Sequence, residues 1–418
     1  MKNTNTLVTR EDGAILVHVA IALLALGAFT AFALDWGVFW VSRNQAQNAA
    51  DAGALSGAIA LAYDDGTDRT DTGPVKQAAF RMTQNNFVWG EAPNVNVTTD
   101  VTFPVCPDGN SDCVRVDVYR NQARGNALPV FFGQLAGLTD QGVRATATAQ
   151  AGYGNATDCL KPWIIPDKWA EGFPAPPVPY DPMVSTYQTQ TCQGNTCTPV
   201  ATPDVYRRPE LPDTTGFRAS GPNNDIGMRL SLKAGPPPQQ IQGGEMVPGW
   251  AYPVRLNEEE PGGAVYRDNI EYCSGDVVRI GDLLRNETGI MVGPTFQGVD
   301  ALIAADPNAY YLDPDGVGGA PGTIMDSCQN TASCPAPWAS SPSTSPRVIA
   351  LPVFNTATFS QTPGAEWLEV VNILGFFLEQ RQGNNIFGYL THYPGLSATG
   401  GGGVTGEAAF SRTVMLIR

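Results

Sequence analysis

Imidazole chemistry has two starting points in the 418-residue chain, His18 and His392. His18 falls inside an apolar N-terminal run, which leaves His392, in Leu390-Thr-His-Tyr-Pro394, as the one histidine that a hydrolytic Ser-His-Asp arrangement could use. No G-x-S-x-G nucleophile elbow accompanies it, so catalysis through His392 is not expected. The string Gly401-Gly-Gly-Val-Thr-Gly406 fits G-x-G-x-x-G by its letters. It opens no βαβ unit, and Glu407 stands where a phosphate-binding lysine would be, so it reads as a loop. Asp313-Pro-Asp315-Gly316, flanked by Asp306 and Asp326, gathers carboxylates in a glycine-rich turn. Asp313 and Asp315 are therefore weak Ca²⁺ candidates, but without EF-hand spacing or a bidentate glutamate the default is a solvated acidic turn. Glu258-Glu259-Glu260 before Pro261 reads as an exposed loop. No catalytic residue and no cofactor are expected, with structural Ca²⁺ as the sole metal reading.

Cysteine chemistry is better represented. Eight cysteines form an even set, with Cys106 and Cys113, Cys192 and Cys197, and Cys328 and Cys334 close in sequence and Cys159 and Cys273 remaining. Close pairs across Gly-, Asn- and Pro-containing loops suit local disulfides, although eight cysteines allow 105 connectivities. Metal-ligand spacing is missing, so zinc is not expected. Disulfides imply an oxidising, non-cytoplasmic compartment. The net charge of −15 and the presence of only five lysines exclude a nucleic-acid partner, which needs clustered cations. With 45 Gly and 34 Pro, the chain is turn-rich.

These side chains hang on a chain with a distinctive beginning. Gly13 to Leu34 carries no formal charge and is dense in Ile, Leu, Val, Ala and Phe, long enough for a bilayer core. Trp36, Phe39 and Trp40 follow at interface positions. Lys2 and Arg10 before the run and Arg43 after it favour a cytoplasmic N-terminus slightly, and the disulfides place the bulk outside. The small-x-small triplet Ala31-Phe32-Ala33 offers a cleaved signal peptide as the competing reading. Helical sequence continues to Ala62, giving one helix roughly 70 Å long. Along it Ala46, Ala50, Gly53, Gly57 and Ala60 repeat at alternating spacings of four and three, a smooth stripe for close helix packing. Its partner is either the protein's own globular part or a helix of another chain, including a second copy.

The run from Gly13, followed by Gln47-Asn-Ala-Ala-Asp-Ala-Gly-Ala-Leu55, resembles the N-terminal segment of TadE/TadG-like proteins of the Flp (tight adherence, Tad) pilus assembly system. Cys159-Leu-Lys-Pro-Trp-Ile-Ile-Pro-Asp167, Met291-Val-Gly-Pro-Thr295 and Ser345-Pro-Arg-Val348 resemble long members of that group. The resemblance implies a pilin-like or accessory component held in the bacterial cytoplasmic membrane, single-pass, with its bulk in the periplasm or at the cell surface. Its partners would be other pilus-assembly or envelope proteins. His18 stands at the fifth position after Gly13, where prepilins and pseudopilins carry glutamate. An imidazole cannot supply that carboxylate, so a permanent anchor is expected rather than a processed filament subunit.

The remaining chain reads as an α+β protein. Residues 1–12 form a cytoplasmic N-terminus, 13–62 the transmembrane and stalk helix, 63–154 a small α+β pilin-like domain, and 155–418 a β-rich, loop-rich exported domain. In the small domain a helix starts at Pro74, strands are expected at Val95–Phe103, Val114–Tyr119 and Val143–Ala151, and a short helix near Leu128–Leu135. Beyond it, strands are expected at Gly249–Leu256, Pro346–Phe354 and Ala408–Ile417, and helices near Gly298–Ala305 and Trp367–Gln380. The function expected is non-enzymatic pilus assembly through helix packing and exported-domain contacts. A surface adhesin with a loop-rich recognition domain is the alternative.

Overall fold

The computed structural model describes residues 12–63, 68–172, 178–193, 196–221, 223–234, 246–256, 262–287, 291–313, 322–327, 339–340, 345–361, 367–399, 404 and 406–417. The chain forms two compact units, Met1–Ala151 with Val414–Arg418, and Gly152–Thr413. Both are mixtures of helix and strand, an α+β protein headed by one long apolar helix.

The first unit is built on α1, Asp12–Tyr63. Its Ile15–Leu34 stretch has no fully buried side chain, and from Val38 onward one face is buried. That face packs on α2, Pro74–Asn85, where proline occupies the first turn because its missing N–H would have no helical partner there. Strands β1 (Val101–Thr102), β2 (Cys113–Arg120) and β3 (Val143–Tyr153) form an antiparallel meander, with Cys113 opposite Gln150 and Arg120 opposite Val143. The alternation of Val114, Val116 and Val118 with polar neighbours turns the valines inward, against the alanines of α1.

Two local expectations fail here. Most of Val95–Phe103 is not strand: Val97–Asp100 makes a helical turn, because the Asn96 side chain accepts the N–H groups of Thr98 and Thr99 while Asp100 accepts that of Asn96. Leu128–Leu135 is not an apolar helix either. Pro129 interrupts it, and only a 3₁₀ turn at Gly133–Ala136 forms.

The second unit centres on a hydrogen-bonded ring of strands. In chain order these are β4 (Trp163–Pro166), β5 (Arg229–Ala234), β6 (Trp250–Arg255), β7 (Leu283–Asn286), β8 (Val348–Phe354), β9 (Trp367–Gln382) and β10 (Asn385–Thr391). Pairing runs β9–β8–β4–β6–β5–β10 and returns to β9, with β7 spanning β9 and β6. A closed ring leaves no exposed edge within it, which suits a protein with few surface charges. Alternate residues of β4 enter different cores: Trp163 and Ile165 join one, Ile164 another. Helices α3 (Gly263–Glu271) and α4 (Val292–Ala305) pack on each other and contribute Tyr266, Ile270, Val299 and Leu302 to the Trp163 core.

The segment Trp367–Gln380, expected as a helix, is the central strand β9. It is buried on both faces from Val370 to Leu378, so the alternation that marks a half-buried strand is erased. Its β-branched and aromatic residues, Val370, Val371, Ile373, Phe376 and Phe377, favour the extended state. The other strands expected in this region occur within their bounds, as β6, β8 and β11 (Ser411–Ile417), and the helix at Gly298–Ala305 begins earlier, at Val292.

Candidate functional site: the N-terminal helix

Helix α1 changes environment along its length. Ile15, Leu16, Ile21, Leu23, Leu24 and Phe29 are each at least 60% exposed, an apolar patch of the kind that marks a membrane or protein contact. Among the described residues, one helix is by its length and composition apolar enough to cross a membrane. After Asp35 the same helix becomes a core element.

Ala46, Ala50, Gly53, Gly57 and Ala60 all lie on the buried face. A Cβ at position 53 would overlap Thr83 Oγ1 on α2, and one at position 57 would lie 2.8 Å from Val114 Cγ1 on β2 and 3.1 Å from Ala79 Cβ. Glycine is what allows these backbones to approach. The stripe therefore packs on the protein's own α2 and β2. Polar residues fix the register: Gln45 accepts the Trp89 N–H at 2.7 Å, and Gln47 donates to Asp51 at 2.8 Å and to the Thr146 carbonyl at 3.2 Å.

Residues 13–60 match the family model described as "Putative Flp pilus-assembly TadE/G-like". This helix is TadE/G-like. The match spans both the exposed apolar half of α1 and the stripe, ending at Ala60, the last residue of the stripe. Comparisons with curated proteins and with solved structures give no match.

The cysteines bridge locally and at long range. Cys106 bonds Cys113, closing the loop before β2, and Cys159 bonds Cys273. Cys192 and Cys197 stand opposite each other in the hairpin of Gln190–Gln193 with Thr196–Pro199, and Cys197 is disulfide-bonded. Cys328 and Cys334 lie outside the described residues.

His392 is pushed down to about 3, by burial first and then by the Arg412 guanidinium, and its Nδ1 has no hydrogen-bond partner. A backbone hydrogen bond with Phe410 opposes the shift, and so low a value makes this imidazole a weak base. Asp313 is half-buried, and Asp315, Glu258–Glu260 and most of Gly401–Gly406 lie outside the described residues. No group of three or more His, Cys, Asp or Glu is placed to hold a metal among those described. A cleft lined by Trp163, Leu232, Tyr266, Met291 and Ile386 encloses about 10 Å³, room for one water.

The segments Cys159–Asp167 and Ser345–Val348 hold buried polar groups, which composition does not reveal. Lys161 is 3% exposed beside the Cys159–Cys273 bridge, donates to the Tyr272 carbonyl at 3.2 Å, and is pushed down to about 8 by burial. Asp167 is fully buried and accepts from the N–H of Phe217 and Lys168 and the Tyr206 hydroxyl; burial pushes it up to about 7. Arg347 donates to four carbonyls, of Asp306, Ala309, Leu378 and Glu379, while Asp306 accepts from Ser327 and Ser345. These groups tie loops to the ring of strands.

Proposed function

We propose that the protein is a non-enzymatic, membrane-anchored component of a Flp/Tad-type pilus assembly apparatus. Residues 13–34 span the cytoplasmic membrane once, and the two folded units lie on its periplasmic side, where their disulfides are stable. One observation carries the reading: the residues that match the TadE/G-like family are a single helix, exposed and apolar in its first half and built into a folded unit in its second. Because the small-residue stripe is occupied within the chain, partner proteins of the apparatus are met by the outer surfaces of the folded units and by the helix before Asp35.

The test is genetic and topological. Cells lacking the chain lose surface filaments and regain them with the full chain, but not with a Leu23→Asp, Leu24→Asp variant that cannot stay in the bilayer. Filaments that assemble unchanged without the chain overturn the proposal.

A further inference from the structure

The first charge after the apolar run is Asp35, and its carboxylate is taken up by the protein's own backbone. It accepts three consecutive N–H groups, of Phe131 at 2.8 Å, Phe132 at 3.1 Å and Gly133 at 2.6 Å. Successive amides converging on one carboxylate form an anion-binding nest, which pins the loop to the helix. The fit is close: a Cβ at Gly133 would lie 3.3 Å from Asp35 Oδ2 and 2.7 Å from Val130 Cγ1. Val38 and Val130 are buried nearby.

The same loop turns large apolar side chains outward. Phe131 is 57% exposed, Phe132 41% and Leu138 59%, three in eight residues, on a loop held where α1 also exposes Phe32, Trp36 and Trp40. Scattered exposed hydrophobics need no explanation, but a cluster fixed at one height does. With a rise of about 1.5 Å per residue, Asp35 and the amides on it lie within about one turn, ~5 Å, of Leu34. The headgroup layer on each side of a bilayer is of about that thickness, and it is where aromatic rings collect.

We infer that the loop Val130–Leu138 is a second membrane-contacting element: Phe131, Phe132 and Leu138 seat in the lipid headgroup layer beside the emerging helix, with Asp35 setting their depth. The occupant of this surface is the bilayer itself, by continuity with the span. The inference rests on the anchoring reading above and deepens it.

Depth-dependent quenching of the full chain in vesicles tests both separately. Trp36 and Trp40 are replaced by Phe, and a reporter is introduced by Phe131→Trp or, as a reference within the span, by Phe29→Trp. Vesicles carry lipids brominated high or low on the acyl chain. The expected result is loss of the added Phe131→Trp emission to shallow bromines and of the added Phe29→Trp emission to deep ones. Quenching of the Phe29→Trp reporter with none at Phe131→Trp overturns the loop assignment and leaves the anchor standing. No quenching at either position overturns both.

Discussion

The consequence of the stripe that can be measured most directly is the effect of one methyl group at position 53. In an open helix Gly→Ala gains about 1 kcal/mol of propensity. At Gly53 the new Cβ meets the fully buried Thr83, whose hydroxyl donates to the Ala79 carbonyl at 2.8 Å. Rotating Thr83 away leaves a buried hydroxyl unpaired, at about 1–3 kcal/mol. Moving α2 instead loses packing worth about as much, ~1–3 kcal/mol. Net of propensity, Gly53→Ala should loosen the contact of α1 with α2 by up to about 2 kcal/mol. Gly37→Ala is the control, since nothing lies within 4 Å of a Cβ there. Hydrogen exchange of the α2 amides, on the full chain in detergent, reads local opening. Exchange should quicken by up to roughly 30-fold in Gly53→Ala and stay put or slow in Gly37→Ala. Adding Thr83→Ala to Gly53→Ala should restore part of the protection, because the overlapping oxygen is gone. Equal α2 exchange in Gly53→Ala and Gly37→Ala would refute the internal packing of the stripe.

Two further outcomes follow from the second unit and its bridges. Replacing Cys159 and Cys273 by Ser opens a loop with a sequence separation of 114, against 7 for Cys106 and Cys113. Chain entropy then assigns losses of about 5 and about 2.5 kcal/mol, so denaturant midpoints should fall further for the long bridge. Lys161 supplies the pH dependence. Its folded value of about 8 lies below the ordinary 10.5 of a lysine, so at neutral pH the folded state carries a burial penalty of about 3 kcal/mol. Between pH 8 and 10.5 the unfolded chain holds more protons, and wild-type stability rises through that window. Lys161→Met should therefore be at least as stable as wild type at pH 7, with its advantage shrinking toward pH 10.5. A stability difference that stays constant across the window contradicts the assignment.

Legibility from sequence followed the range of the interactions. The long helix was readable almost to the residue, 13–62 against Asp12–Tyr63, because a charge-free run followed by a small-residue stripe is a local pattern. What the stripe faces was not readable. Small residues permit close approach to any surface, and Thr83 and Val114, which occupy the space, are long-range neighbours. The Cys106–Cys113 bridge was visible from its spacing, and Cys159–Cys273 as the remaining pair. Strand β9 was misread because burial on both faces removes the period of two. Ring closure depends on pairings such as β4 with β8, nearly two hundred residues apart, and no local pattern reports it. The buried Asp167 and Arg347 were equally silent, since only the donors and carbonyls brought round them by the fold make their burial tolerable.

The division of α1 at Asp35 joins anchoring to folding in one element. Before it, side chains suit hydrocarbon; after it, Ala46, Ala49, Ala50, Ala54 and Ala58 are completely inaccessible and supply one wall of the first unit's core. A soluble fragment begun at residue 63 would strip that wall away and expose the inward valines of β2, whereas one begun near Asp35 keeps it. The stalk and the domain are therefore not separable modules. One continuous helix carries both the apolar run and the core wall, and at Gly53 and Gly57 it lies too close to α2 and β2 for a side chain to fit without a shift.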